Sequence, residues 1–521
     1  MKQMIKKQFL VVLSSLFSVA AFAQIPEDVL KYSWGPTNGT ARSNAIGGAM
    51  GSLGGDLSAT YTNPAGLAFY RTSDFVLSPG FSMLNNKGAF RGTDAKAKGN
   101  SFNLGPTGFV GGLDARGPWR NKTFSFAVNR TANFNNKVVY RGFNDFSSFA
   151  EQYAAEAAYS GQSIDQMLGT GSNVSLGTKM ALYTYLIDTV SLGGQSPDFI
   201  SMAMFDNLRN GNPLLLSQQH TVETSGGITE LAIGFAGNHS DKFYIGGSLG
   251  IPIVNYERVS TLREEDATAN NNNNFNFAEL SERFTTKGFG FNLKLGMIAK
   301  AGEKLRLGLA VHSPSIYALT DSYVGNLSTD LDSFRSVPGI YDVSSNLFNN
   351  NQTPEYEYDL NTPWKFIVSG AYVINSVEDV RQQKGFITGE VEYVSHKSNK
   401  FRSADGTGEE YYSDLNNVNK TYYKNAFNVR LGGEMKFNTL MGRLGFAYYG
   451  NPYADSELKA NKMFISGGVG YRNAGFFVDL TYVHSIQKDI SFPYRLPDKA
   501  NTFSNIRTNG SNVSLTFGVK I

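Results

Sequence analysis

The chain ends Val513-Ser514-Leu515-Thr516-Phe517-Gly518-Val519-Lys520-Ile521, with an apolar residue at every second position and small or polar residues between. A period of two is the signature of a strand with one face in oil and the other against water or small side chains. Phe289, Phe291, Leu293, Leu295 and Met297 repeat it, as do Leu305, Leu307, Leu309 and Val311. So do Phe427, Val429 and Leu431, and then Phe476, Val478, Leu480 and Tyr482. Arg430 and Glu434 fall on the polar phase of their strand, as the cost of a lipid-facing charge demands. The pattern predicts about fourteen strands, near 74–84, 102–113, 122–132, 220–237, 242–258, 285–300, 304–314, 362–375, 385–397, 424–437, 441–449, 462–473, 475–486 and 511–521. Connections after even strands are mostly short (238–241, 301–303, 438–440, a turn at Ala474). Those after odd strands are usually long (133–219, 259–284, 315–361, 398–423, 487–510). Such alternation predicts a closed antiparallel transmembrane β-barrel, with short periplasmic turns and long outer loops.

Composition agrees. Charged residues make up 17 % of the 521, below the soluble average of about 25 %. Phe (38), Tyr (27) and Gly (55) are abundant, yet mean hydropathy is −0.26, too polar for a bundle of membrane helices. A net charge of +3 with scattered basic residues gives no nucleic-acid footprint. With no cysteine, disulfides, thiol catalysis and cysteine metal sites are excluded.

The N-terminus reads as a cleavable signal peptide over 1–23. Lys2, Lys6 and Lys7 precede the apolar run Phe9 to Val19, and Ala21-Phe22-Ala23 supplies the cleavage site before Gln24. Residues 24–73 do not read as barrel wall, because Gly47, Gly48, Ala49, Gly51, Gly54 and Gly55 crowd them. Residues 144–219 read as an extracellular insertion with helices over 146–159, 179–190 and 197–208. The barrel itself is expected over 74–521.

Ala41-Arg42-Ser43-Asn44-Ala45-Ile46-Gly47-Gly48-Ala49, then Gly54-Gly55-Asp56-Leu57-Ser58-Ala59-Thr60-Tyr61-Thr62-Asn63-Pro64-Ala65-Gly66-Leu67, resembles the N-terminal hatch of the outer-membrane long-chain fatty-acid and hydrophobic-compound transporter family (FadL/TodX-like). That family carries an Asn-Pro-Ala signature in its plug, and Asn63-Pro64-Ala65 stands in the same place, just before the first strand. Thr362-Pro363-Trp364-Lys365 and Arg306-Leu307-Gly308-Leu309, with Ser313-Pro314 beyond, also resemble family segments. The resemblance implies fourteen strands, a hatch over 24–73 inside the lumen, a monomer, and passive uptake of fatty acids or small aromatics. It further implies capture in an apolar site, hatch movement, and release beside a kinked third strand into outer-membrane lipid. The break in alternation at Asn129-Arg130-Thr131-Ala132-Asn133 places that kink near Val128–Phe134, with Asn129, Arg130 and Asn133 as its candidate residues. The ending on Ile521 departs from the aromatic end common in such barrels, though it is apolar and in phase.

Asn63 can bond its neighbouring backbone, and Pro64 biases it toward an extended form. A fatty-acid tail would gain about 0.8 kcal/mol per buried CH₂. Lys294, Arg306 and Arg430, all in the inward phase, are candidates for its carboxylate. Gly246-Gly247-Ser248-Leu249-Gly250 matches a nucleophile-elbow pattern but lies within an alternating strand, so no catalysis is expected there. His220, His239, His312, His396 and His484 have no metal-ligand spacing, no cofactor is expected, and Glu264-Glu265-Asp266 reads as a solvated acidic cluster. A surface adhesin or structural barrel working through its long loops is the alternative function.

Overall fold

The computed structural model describes residues 28–521 apart from 37, 115–116, 170, 192–197, 271, 333–338 and 376–383. The signal peptide and its cleavage before Gln24 lie outside the described residues. The wall is a closed antiparallel barrel of fourteen strands. They are β1 (Asp74–Leu77, Pro79–Phe90), β2 (Thr93–Leu104, Thr107–Asp114), β3 (Trp119–Asn133, Asn136–Asn144), β4 (Leu216–His239) and β5 (Phe243–Asp266). Then come β6 (Phe277–Lys300), β7 (Leu305–His312, Ile316–Asp330), β8 (Glu355–Asn361, Lys365–Ile374), β9 (Gly385–Val394, Lys400–Ser403) and β10 (Ala426–Phe437). β11 (Leu440–Tyr449), β12 (Asn461–Asn473), β13 (Phe476–Ser491) and β14 (Ser504–Lys520) complete the wall. Closure is by β14 on β1, from Asp74↔Lys520 to Ala89↔Asn505. It satisfies the backbone groups that hydrocarbon would otherwise leave unpaired at several kcal/mol each.

Outward-facing apolar residues form the lipid belt. Phe81 on β1, Phe102 on β2, Phe289 to Met297 on β6 and Leu305 to Val311 on β7 are exposed to the outside in alternation. Several strands run well past the belt. β4, β5 and β6 have 24 residues each, against the 9–11 a tilted strand needs to cross. Two loops expected from sequence are therefore shorter. Residues 85–101 are a continuous hairpin, and most of 259–284 is strand, because the outward residues there turn polar (Asn85, Lys87) while pairing continues.

The insertion is built from α3 (Ala150–Ser160), α4 (Ile164–Leu168), α5 (Leu176–Tyr183) and α6 (Phe205–Asn210), after α1 (Asp28–Lys31) and α2 (Ala41–Ala45) of the hatch. The second expected helix gives way at Ile187–Val190 to a strand, which pairs with Asp198–Ser201 where the third was expected to begin. α7 (Glu409–Tyr422) occupies what was read as loop. The acidic cluster is not solvated throughout. Glu264 is fully buried and accepts from Ser148 Oγ (2.6 Å), Phe149 N (2.7 Å) and Gln218 Nε2 (2.5 Å), tying the insertion to β4 and β5.

Leu309→Arg would set a charge in the belt and is expected to cost roughly 2–4 kcal/mol. Asn85→Glu, on an outward position beyond the belt and opposite Lys98, is expected to be near neutral. Urea-titrated refolding into vesicles, read by heat-modifiable mobility, compares them.

Candidate functional site

Residues 28–73 lie inside the bore. Their helices are short, so many backbone N–H and C=O groups have no partner within the segment. The wall supplies those partners. Thr481, Ser466, Thr388 and Ser248 donate their hydroxyls to the carbonyls of Ala41 (2.5 Å), Ala45 (3.0 Å), Ala49 (3.2 Å) and Thr60 (2.7 Å). Ala41 N donates to Thr516 Oγ1 (2.8 Å) and Gly51 N to Glu390 Oε2 (2.8 Å). His312 Nε2 lies 2.8 Å from Thr62 O.

Asn63 is the centre of this stitching. It caps the 3₁₀ turn Pro64–Phe69 through Oδ1, which accepts from Ala65 N (3.1 Å). Its Nδ2 faces the carbonyls of Gly51 (2.6 Å), Leu309 (3.3 Å) and Met297 (3.4 Å). The carboxamide thus joins two hatch segments to β6 and β7 with no exposed surface. Gly296 on β6 makes room for it, because a Cβ there would run into the carboxamide.

A buried ion network holds the neighbouring helix. Glu434 pairs with Arg42 (3.3 Å) and Arg443 (2.6 Å), and Arg443 pairs with Asp479 (2.6 Å). Arg42 also donates to the carbonyls of Gly54 (3.3 Å) and Gly55 (3.2 Å). Burial alone would lower the Arg42 pKa, but Glu434, Asp56 and Asp479 reverse this and hold it above its ordinary value.

Between hatch and wall lies a cavity of about 740 Å³. Its lining is mixed rather than apolar as expected: Trp34, Tyr256 and Tyr317 share it with amides, hydroxyls and ion pairs. Lys294 and Arg430 both line it. Lys294 is bonded to Glu230, and Arg430 to Glu390 and to Glu392 (3.1 Å). Arg306 is not part of the lining. It lies near the short turns, its guanidinium 5.0 Å from the Phe69 ring. The three candidates share a phase but not a depth.

Arg130 to Asn136 also face the cavity, where β3 is broken. Its register against β4 slips between Arg130 and Ala132, and the strand splits before Asn136. The β2–β3 ladder runs from Asp114↔Asn121 to Thr107↔Val128 and stops. Among the described residues no ladder joins Thr93–Leu104 to β3. The second half of β3 passes behind the β1–β2 hairpin instead. Asn86 Nδ2 donates to Lys137 O and Asn136 Oδ1 (2.6 Å each), and a Cβ on Gly88 would meet Val139 and Tyr140. Asn129 Nδ2 donates to Asn38 O of the hatch (2.8 Å), and Asn133 Nδ2 to Ser101 Oγ (2.7 Å) across the break.

Several solved structures share this plugged-barrel fold. A Pseudomonas aeruginosa FadL homologue superposes with a TM-score of 0.53 over 93 % of this chain and 98 % of its own, at 13 % identity. The P. putida toluene transporter TodX gives 0.50 over 94 % and 99 %, at 13 % identity. The deltaS2 mutant of the TodX monoaromatic hydrocarbon channel gives 0.51 over 92 % and 98 %, at 12 % identity. The chain has their fold. No protein-family model and no curated protein matches it in sequence.

The sequence signal for the hatch was its Asn63-Pro64-Ala65 turn. Glu434 was placed on the inward phase from sequence, but Glu390, Glu392 and Asp479 were not singled out, although the same phase would have found them.

Asn63→Ala is expected to cost about 1–3 kcal/mol, having stranded three carbonyls and an N–H. Asn63→Asp keeps the cap acceptor but cannot donate, so it should destabilise at least as much. Amide exchange over 40–70 and thermal melting check this. Glu434→Ala, leaving Arg42 and Arg443 short of a partner, is expected to cost roughly 3–5 kcal/mol in the same melts.

Proposed function

We propose that the protein is a monomeric outer-membrane transporter that takes up hydrophobic compounds passively, delivered to the membrane by the signal peptide over 1–23. One observation carries the reading. The cavity beside the hatch reaches Arg130–Asn136, where the described wall has no ladder between β2 and β3. A sealed bore passes only what it first binds. An unlaced stretch of wall gives apolar cargo a route into lipid, where its transfer free energy favours it. Asn129, Arg130 and Asn133 would position this gap, and Asn63-Pro64-Ala65 the hatch.

The charge pattern bears on the cargo. Lys294 and Arg430 are already neutralised by Glu230, Glu390 and Glu392, so a carboxylate binding to either must displace an ion pair. An uncharged aromatic meets no such cost. At these two positions the lumen favours a small uncharged hydrophobic compound over a fatty-acid carboxylate, which would have to turn to other lining cations such as Arg130, Lys365 or Lys462.

The test uses the Ser101–Asn133 contact. The chain has no cysteine of its own, so S101C/N133C gives a single bridge across the gap. Uptake of labelled toluene by cells carrying it should fall several-fold when oxidised and recover on reduction, with labelled oleate entering less well throughout. Unchanged toluene uptake through the bridged barrel would overturn lateral release.

A further inference from the structure

The outer surface of four adjacent strands carries a line of like charges. Lys96 on β2 stands directly opposite Lys87 on β1, Lys87 opposite Arg507 on β14, and Arg507 opposite Lys488 on β13. Cross-strand partners project from the same side of a sheet, and all four are exposed. The next outward residue of β2 toward the belt, opposite Asn85, is Lys98. Asp94 bonds Lys87 at 2.6 Å, leaving the line strongly basic.

This arrangement works against the fold, because like charges directly opposite one another destabilise a sheet. Elsewhere the same wall avoids it. On β5 and β6, Arg263 meets Glu279 (3.0 Å) and Glu257 meets Arg283 (3.3 Å). The line has a fixed place relative to the lipid. The row Phe102, Phe81, Val513 and Tyr482, in the same register on the same four strands, is apolar and exposed. Met83 is the last apolar outward residue of β1, and Lys87 lies four residues on. That is roughly 13 Å along the strand and, at a tilt near 40°, about 10 Å along the membrane normal. The cations therefore stand at the outer margin of the headgroup layer, from which their long side chains can reach back to the phosphates.

We propose that this line is a docking surface for phosphate-bearing glycolipid headgroups of the outer leaflet. Three strand spacings span about 14 Å, enough for two phosphates on one headgroup. Acyl chains below would lie on Phe102, Phe81 and Val513. Its place on the lipid-facing side of the wall, with two outward rows between it and Phe102, Phe81 and Val513, selects a lipid over a soluble phosphate compound. The bound lipid neutralises the repulsion that the sheet otherwise bears.

The experiment uses the full chain purified in neutral detergent, with retained lipids counted by native mass spectrometry. The probes are bisphosphorylated lipid A, its dephosphorylated form, and phosphatidylethanolamine. Wild-type protein should retain bisphosphorylated lipid A selectively. K87Q/K96Q/K488Q/R507Q should hold it on the order of a hundredfold more weakly. That variant should melt no lower in neutral detergent, since it loses like-charge pairs. K87Q/R507Q, lacking the two central cations, reads the same outcome should the quadruple variant fail to insert. Equal retention by wild type and variants, equal retention of the dephosphorylated lipid, or full displacement by excess inorganic phosphate would each overturn the proposal.

Discussion

Hydrocarbon offers no partner to a peptide N–H or C=O, and the rest of this molecule follows from that. It forces fourteen strands into a ring and puts β14 against β1. It also decides where the ring can be relaxed. Between β2 and β3 the ladder ends at Thr107↔Val128, and Phe102 is the last apolar outward residue of β2 beyond that point. Past Phe102 the outward residues are Asn100, Lys98 and Lys96, so water can serve the unpaired edge. The break thus straddles the margin of the belt: its near end, at Phe102, adjoins lipid, and its far end lies in water.

The same constraint acts inside in a different form. A bore sealed by a second sheet or a long helix would need that element to satisfy itself. Here the seal is a run of short turns, so wall and hatch share the work. Hydroxyls on inward positions meet hatch carbonyls, and glycines on inward positions let the backbone come close enough. Gly445 admits Gly47 against β11, as Gly296 admits Asn63. Such bonds are individually worth about 1 kcal/mol and can be exchanged for water. The buried Arg42–Glu434–Arg443–Asp479 network is the stiffer part.

Strand number, closure and the hatch turn were legible because period two and an Asn-Pro-Ala turn are local signals. Strand ends were not. Beyond the belt both faces are polar, so alternation fades at Asn85 and Lys87 while the hydrogen bonds continue. α7 went unread because its sequence, Glu409 to Tyr422, is mostly polar, with only Tyr412 and Leu415 as its buried apolar residues. The break in β3 left a trace at Asn129–Asn133, but the missing ladder depends on β2, which periodicity in β3 alone cannot report. Phase assigns a side chain to a face and says nothing of depth. Lys294 and Arg430 share the inward phase with Arg306, yet only the first two reach the cavity.

Charge is handled oppositely on the two faces of the wall, and the contrast is itself informative. Inside, Lys294 and Arg430 are matched by carboxylates on β4 and β9, because an unmatched ion in a narrow bore keeps its desolvation cost. Outside, at Lys96, Lys87, Arg507 and Lys488, water and salt screen the repulsion, so the cost is small enough to keep. Lys294 and Arg430, being paired, do not select for charge. An unneutralised exterior does select for it, and what it faces is the headgroup layer. The wall thus treats its two faces differently: ion-paired charge within, an excess of cations without.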